Sequence, residues 1–379
     1  CYEDNKKKTL TINKEVKNFS NTSFIIPKLT NSGIKCSEIN FVNKYNNISF
    51  RVKIDYINSY YKFVNYKDLN QKNIKKYFKY KNNFLELAKK ETIIEENIYI
   101  PKGYRVIVEP GQKLILTNNA FVISNSPWTI GGKNKKTVIT GLKENLGGGI
   151  FIGDTNDISK IENTNFSYLK GYDFKANSEL ILFGALNIHQ TKVQIDNVNF
   201  KNIFSEDAIN IFKSDFKINN SKFENIYSDA IDIDFSNGKI NFVDFINIKN
   251  DAMDFSGSNV KIYNSILKNI DDKIISGGEK SIIYASKISA TDSKFGIVSK
   301  DGSNVYTNEI NFDKVDIPFA AYQKKNEYEK PSLIANDFNI NRFSLKFLKD
   351  KNSTIILNDI TQFNKEDTEA KILEINKNG

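Results

Sequence analysis

Three aspartates, Asp232, Asp234 and Asp254, have the residue type and spacing best suited to chemistry in this chain. They lie in the segment 205–279, which has 13 acidic residues against eight lysines. Carboxyl groups that are held close together either share a proton or bind a cation. Such a pair can serve a glycoside hydrolase as acid and as nucleophile or base. The same oxygens also suit a hard cation such as Ca²⁺, so both interpretations stay open.

The elements that must position these aspartates repeat along the chain. The clearest repeated run begins with Gly or Asp and occurs at 184–188, 207–211, 229–233 and 251–255, with a period of 22 or 23 residues. Apolar residues alternate within each run, as in a strand, and the period is too short for a pair of helices. The sequence therefore predicts an all-β fold, a right-handed parallel β-helix with about 22 residues per coil.

Two further columns of residues follow the same period. Phe200, Phe223, Phe245 and Leu267 are predicted to stack in the core of the β-helix. An asparagine follows each of them two residues later, at Asn202, Asn225, Asn247 and Asn269. Because asparagine tolerates the left-handed backbone region and can bond to the asparagine of the next coil, this column predicts a structural ladder at a turn.

Strand alternation predicts which side chains of the repeated run point outward. One outward column contains Asn187, Asn210, Asp232 and Asp254, and the neighbouring column contains His189, Phe212 and Asp234. We predict Asp232, Asp234 and Asp254 as catalytic residues. The predicted substrate contacts are His189, Asn187, Asn210, Phe212, Asp272 and Lys273.

The aspartates that begin each run allow two interpretations. Asp229 and Asp251 are the predicted ligands if Ca²⁺ binds, and no other cofactor is expected. Alternatively, these turn aspartates bond to backbone N–H groups and have only a structural role.

Several segments together resemble a known group of proteins. They are Asp229–Asp234, Asn250–Ser258, Asp272–Ser281, Gly296–Asp301 and Tyr322–Lys325. They resemble bacterial right-handed parallel β-helix repeat proteins of the pectate-lyase-like superfamily, more narrowly those encoded beside or fused to spore-coat CotH-like kinase domains. The resemblance covers about residues 95–340. It implies a secreted or cell-envelope protein that acts on a polysaccharide or cell-surface glycan, with a CotH-like kinase as a further partner, but it supplies no catalytic residues.

The familiar mechanisms of that superfamily are not matched by the residues. A pectate-lyase-like site implies an arginine base, and the segment 149–340 has no arginine. A polygalacturonase-like site implies a His-Gly pair, whereas His189 is followed by Gln190. The sequence therefore leaves two functions open: binding or cleavage of a polysaccharide on the acidic face, by a hydrolase or a lyase-like enzyme, and a non-catalytic structural or adhesive role in the envelope.

The ends of the chain complete the prediction. We expect a small β-rich region at 1–66, a helical cap or linker at 67–95, the β-helix at 96–340 and a C-terminal cap at 341–379, with an inserted loop across 169–182. The first 95 residues have 19 Lys and Arg against nine Asp and Glu. These lysines are scattered and no nucleic-acid motif accompanies them, which argues against nucleic acid as a partner. Cys1 is interpreted either as the lipid-bearing residue of a lipoprotein, the only expected membrane contact, or as a trimmed end.

Overall fold

The structure is a computed structural model that describes residues 73–172 and 182–363, together with the backbone of four short strands nearer the N-terminus. The chain divides into a unit at 1–65 and a unit at 66–379. Cys1, Cys36 and most of the inserted loop predicted at 169–182 lie outside the described residues.

The four N-terminal strands form two antiparallel pairs. They are β1 (Tyr2–Glu3), β2 (Lys6–Lys7), β3 (Glu38–Val42) and β4 (Ser49–Lys53). Strand β1 pairs with β2, and β3 pairs with β4.

Over the described residues 73–95 there is much less helix than predicted for 67–95. Helix α1 spans only Ile74–Tyr77 and is followed by a hairpin of β5 (Phe78–Lys81) and β6 (Phe84–Leu87). Within β6, Leu85 and Leu87 are buried while Phe84 is exposed. This two-residue alternation is that of a strand, and it prevails over the helical pattern inferred from Leu85, Leu87 and Ala88.

The rest of the unit is a parallel β-helix of about 12 turns. The early coils have short strands: β7 (Glu91–Ile94), β8 (Ile98–Ile100), β9 (Arg105–Val108), β10 (Lys113–Leu116), β11 (Phe121–Ser124), β12 (Trp128–Gly131), β13 (Thr137–Thr140) and β14 (Gly149–Gly153). The central coils have longer ones: β15 (Ile158–Ser167), β16 (Gly184–His189), β17 (Lys192–Ile203), β18 (Asp207–Phe212), β19 (Asp215–Ile226), β20 (Asp229–Asp234), β21 (Asn237–Ile248) and β22 (Met253–Ser256). The last coils contain β23 (Asn259–Gly278), β24 (Ile282–Lys300), β25 (Asn304–Tyr322), β26 (Ser332–Asn341), β27 (Phe347–Lys349), β28 (Thr354–Leu357) and β29 (Ile360–Thr361).

Each coil crosses three faces of the β-helix in turn. The first face includes β6, β9, β12 and the first part of β17, the second face includes β7, β10, β13 and the end of β17, and the third face includes β8, β11, β14, β16, β18, β20 and β22. Strands on one face pair in parallel with the strands one coil away, which confirms the predicted fold class.

The core and one turn follow the predicted columns. Phe200, Phe223 and Phe245 are fully buried, and their ring centroids stack 5.0 and 5.1 Å apart. Leu267 continues the column in register with Phe245. The amide of Asn225 donates to Asn202 at 3.1 Å, and the same bond recurs from Asn247 and Asn269 at 2.8 and 2.9 Å. All four asparagines have φ between 54° and 58°, so the predicted ladder is confirmed.

The β-helix extends beyond residue 340. Strand β27 pairs in parallel with β25, and β28 pairs in parallel with β26. Strand β29 then folds back antiparallel onto β28 and pairs with the strand edge there. No helix in the described residues has the length and apolar character that crossing a membrane requires.

Candidate functional site

The outer side of the third face brings together the residues that were predicted as a site. Asn187, Asn210, Asp232 and Asp254 are in register on successive coils, as are His189, Phe212, Asp234 and Ser256. Parallel strands in neighbouring coils are about 4.8 Å apart. The residues of each column are therefore neighbours along the β-helix axis, and both predicted columns are present.

A hydrogen-bonded network occupies the upstream half of the site, which we define as His189, Asp207, Asn210 and Asp232. The Asn210 Nδ2 atom donates to Asp207 Oδ2 at 3.0 Å and to Asp232 Oδ2 at 2.9 Å. Because both amide protons are used in this way, Asn210 Oδ1 must accept from His189 Nε2, which lies 2.8 Å away. We therefore assign a proton to Nε2 of His189.

Burial controls protonation in this upstream half. It lowers the pKa of His189 to about 4, although the bond to Asn210 acts in the opposite direction. Burial also raises the pKa of Asp232 well above its usual range, and the charge of Asp207 adds to the effect. The pKa of Asp207 is likewise raised by burial and by Asp229. Burial thus favours the neutral imidazole of His189 and the protonated forms of Asp207 and Asp232.

The downstream half of the site, defined as Asp251, Asp254, Lys273 and Lys300, contains cations. Lys300 Nζ lies 3.9 Å from Asp254 Oδ1. Burial acts to lower the pKa of Lys300, but Asp254, Tyr322 and Asp251 together raise it overall. The Lys300 side chain passes Gly278, the residue one coil before it in its column, and a Cβ atom at Gly278 would lie 3.7 Å from Lys300 Cε, an ordinary van der Waals distance.

Lys273 forms the most buried ion pair of this region. Its Nζ atom lies 3.3 Å from Asp251 Oδ1, with the lysine and aspartate side chains only 12% and 4% exposed, and it also bonds to Asp272. Burial acts to lower the pKa of Lys273, but Asp251 and Asp272 raise it overall. Lys273 is therefore a permanent cation whose bonds are already taken by carboxylates.

Asp234 lies at the edge of the site next to a turn of the chain. Burial and the charge of Asp254 raise the pKa of Asp234 to about 6. Glu279 lies close enough to contribute to that shift, and Glu279 itself bonds to Lys325. Asp301 Oδ1 accepts from the backbone N–H groups of Lys324 and Lys325, which holds the segment 323–331 near this edge.

Aromatic rings border the upstream half. The His189 ring lies 5.1 Å from Phe151 and 5.5 Å from Phe212, measured between ring centroids. Phe212 in turn lies 6.0 Å from Phe235, which is exposed. The predicted contact residue Phe212 is thus half-buried between a histidine and a second aromatic ring.

Two groups of predicted residues are used within the fold instead. Asn187 is fully buried, and its amide bonds to the backbone of Gly184 and Ile150, which corrects the expectation that it contacts a substrate. Asp229 Oδ1 accepts from Asp251 N at 2.8 Å, and Asp251 Oδ1 accepts from Lys273 N at 3.0 Å. These two aspartates have the structural bonds of the alternative interpretation. Over the ranges 73–172 and 182–363, no group of three or more His, Cys, Asp or Glu side chains is arranged to hold a metal ion.

Sequence reasoning missed Lys300, Glu279 and a ladder of serines. Lys300 continues the column of His189 and Asp234 by two more coils, so extending the period would have found it. The serines lie at the turn that follows the third face. There the Ser214 N–H bonds to Ser236 Oγ, and Ser236 N–H bonds to Ser258 Oγ, at 2.9 and 3.0 Å.

No family model matches the chain, and no curated protein sequence matches it. Several solved structures have a similar backbone fold. An alginate lyase from Paenibacillus sp. str. FPU-7 is 13% identical, with a TM-score of 0.41, over 65% of this chain and 92% of that one. The catalytic domain of a GH87 alpha-1,3-glucanase in complex with nigerose is 10% identical, with a TM-score of 0.41, over 72% and 63%. A double mutant of the periplasmic alginate epimerase AlgG is 9% identical, with a TM-score of 0.41, over 75% and 79%.

Proposed function

We propose that the third face binds a polysaccharide and hydrolyses it. The observation that carries this proposal is the pairing of two aspartates in different surroundings on adjacent coils. Asp232 has a pKa that burial raises well above its usual range, whereas Asp254 lies beside the Lys300 ammonium group. A carboxyl group whose protonated form is favoured by burial, next to a carboxyl group that faces an ammonium group, is a suitable arrangement for an acid and its partner.

The roles follow from these surroundings. Asp232 is the proposed general acid, which protonates the glycosidic oxygen of the leaving group. Asp254 is the proposed nucleophile, and its side chain is 27% exposed, so it is open to a ligand. Carboxyl groups on adjacent coils are separated by about 5 Å, the spacing used by retaining enzymes, so we expect retention of the anomeric configuration.

The remaining polar groups have supporting roles in this proposal. His189 is neutral, and its bond to Asn210 orients the amide that contacts both Asp207 and Asp232. Asp234 and the exposed Phe235 lie on the same edge, where they are placed to contact a sugar ring. Lys273 and Asp272 bond to each other and position the neighbouring coil rather than the substrate.

A panel of neutral and acidic glycans tests the proposal, with release of new reducing ends as the measurement. Asp232→Asn should lower the rate by about 100-fold or more, because it removes the general acid. Asp254→Asn should do the same while keeping the side-chain volume. Asp215→Asn is the matched control, because Asp215 is an exposed aspartate of the first face that pairs with Lys192. Its rate should match that of the unchanged protein.

The rival function is a non-catalytic binding or adhesive surface. It is favoured by the extent to which Asp229, Asp251 and Lys273 are already bonded within the fold. If a glycan binds without being cleaved and Asp254→Asn abolishes that binding, the third face is a recognition surface only. If no glycan is bound or cleaved by any of these proteins, the third face has no part in function.

A further inference from the structure

The first face of the β-helix has an outer surface opposite in charge to the third face. Lys217, Lys239 and Lys261 are in register on three successive coils, and Tyr284 and Tyr306 continue the column on the next two. All five side chains are exposed. We call this column the lysine-tyrosine ladder.

The three lysines have no ion-pair partner within the described part of the chain. Lys239 makes a cation–π contact instead, with its Nζ atom 4.8 Å from the ring centroid of Tyr263. Like charges directly opposite one another on neighbouring strands repel. Three cations on coils about 4.8 Å apart therefore repel one another, and no carboxylate of the described residues relieves the repulsion. An external anion would relieve it.

The columns on either side of the ladder are suited to a sugar polymer. Lys239 is flanked within its strand by Asn237 and Asn241, and Lys261 by Asn259 and Tyr263. These side chains offer amide and hydroxyl groups to the hydroxyl groups of a sugar. Two carboxylates lie beside the start of the ladder and both have other partners: Asp215 pairs with Lys192 at 3.6 Å, and Asp196 accepts from the Asn220 amide at 2.8 Å.

The tyrosine rings distinguish a glycan from a single-stranded nucleic acid. Tyr284 and Tyr306 stack on each other, with centroids 5.1 Å apart and planes 13° apart. Each ring therefore has one face covered by the other ring, which leaves less open ring surface for stacking nucleobases. The ladder also contains no arginine, the residue preferred for bidentate recognition of phosphate. Lysine provides point charges that suit single carboxylate groups spaced along a polymer.

We propose that the lysine-tyrosine ladder binds an anionic polysaccharide that runs along the β-helix axis, with its acidic groups on the lysines and its hydroxyl groups on the flanking amides and tyrosines. This site is separate from the third face. Binding to the ladder does not require the third face to be catalytic. The proposal for the ladder and the proposal for the third face can therefore fail independently.

The test measures binding of the full chain to sodium polygalacturonate at low salt, with neutral dextran as the uncharged probe. A triple variant, Lys217→Ser, Lys239→Ser and Lys261→Ser, should weaken binding by about tenfold or more, because each lysine near an anionic surface contributes about a factor of five. The matched control is Lys133→Ser, Lys136→Ser and Lys143→Ser, which removes the same charge from exposed turns. The control should bind within about twofold of the unchanged protein, and added salt should abolish the difference.

Three results would overturn the proposal. One is unchanged binding by the ladder variant, and another is equal weakening in both triple variants, which would reveal attraction to the overall positive charge. The third is tighter binding of single-stranded poly(dT) than of polygalacturonate, with loss in the ladder variant, which would make the surface a nucleic-acid site. Tyr306→Phe is a further check that keeps the ring stack and every charge. It should weaken polygalacturonate binding by about twofold or more through loss of a single hydroxyl bond.

Discussion

The two halves of the third-face site differ in how their carboxyl groups are balanced. In the upstream half, Asp207 and Asp232 share one amide donor, Asn210, and the histidine beside them is neutral. In the downstream half, Asp251 and Asp254 each lie next to a lysine ammonium group. Aspartates at the same strand positions thus favour a protonated carboxyl group in the upstream half and ion pairs in the downstream half. The reason is that their neighbours are Asn210 and His189 in the upstream half but Lys273 and Lys300 in the downstream half.

This difference shows that a repeated scaffold can hold unlike acid and base groups one coil apart. The backbone register is the same in both halves, so the difference between them comes from which side chains occupy neighbouring coils and from how deeply those side chains are buried. A single replacement in either half should therefore change the electrostatics without changing the fold.

The largest expected effect comes from removing the buried cation of the downstream half. Lys273→Met would leave Asp251 buried without its ion-pair partner, and we expect the free energy of unfolding to fall by about 3 to 5 kcal/mol. Urea denaturation followed by circular dichroism measures this change. Adding Asp251→Asn to the same protein should recover most of the loss, since the uncompensated charge is then gone. If the double variant is as unstable as the single one, Lys273 stabilises the fold through packing and not through its charge.

A second, smaller effect should appear as a dependence of stability on pH. Burial, together with the charges of neighbouring aspartates, raises the pKa of Asp229 to about 7 and that of Asp234 to about 6, above the usual 3.8. Between pH 3.8 and about 7 the folded chain therefore binds more protons than the unfolded chain. Its stability is greatest at low pH and falls as the pH rises through about 6 to 7. His189 acts in the opposite direction, because its folded pKa of about 4 lies below the usual 6.5.

The aspartates outnumber the single histidine, so we expect the net stability to fall by about 1 to 3 kcal/mol between about pH 5 and pH 7.5. Urea midpoints measured across this range provide the test. A stability that rises steadily toward neutral pH would show that these carboxyl groups are ionised and paired in the folded protein.

The smallest effect should come from Asp232→Asn in the upstream half. An asparagine can still accept the bond from Asn210, and it removes a carboxyl group that burial disfavours in its charged form. We expect the stability at neutral pH to stay the same or to rise by up to about 1 kcal/mol. The pH dependence should become shallower at the same time. A loss of more than about 1 kcal/mol would mean that the Asp232 carboxyl group stabilises the fold as Asp251 does.

The sequence by itself determined the scaffold and the composition of the candidate site. The 22- to 23-residue period of Phe200, Phe223 and Phe245 and of the asparagines placed the core and one turn, because a solenoid repeats the same local environment at every coil. The same period placed Asn210, Asp232 and Asp254 in one outward column, since strand alternation depends only on the sequence. It did not predict the hairpin at residues 78–87, where strand pairing prevailed over a local helical pattern.

Only the tertiary structure decided how those side chains are used. Asn187 and Asn210 have the same column position and both are buried, yet Asn187 is bonded to backbone groups whereas Asn210 bridges two carboxyl groups. Lys300 extends back past Gly278 to Asp254, a contact between residues two coils apart that no local pattern indicates. Protonation and ion pairing depend on burial and on distances between coils. These quantities arise only when the coils stack, so the period could place the columns but could not predict which of their members are neutral, paired or open to a ligand.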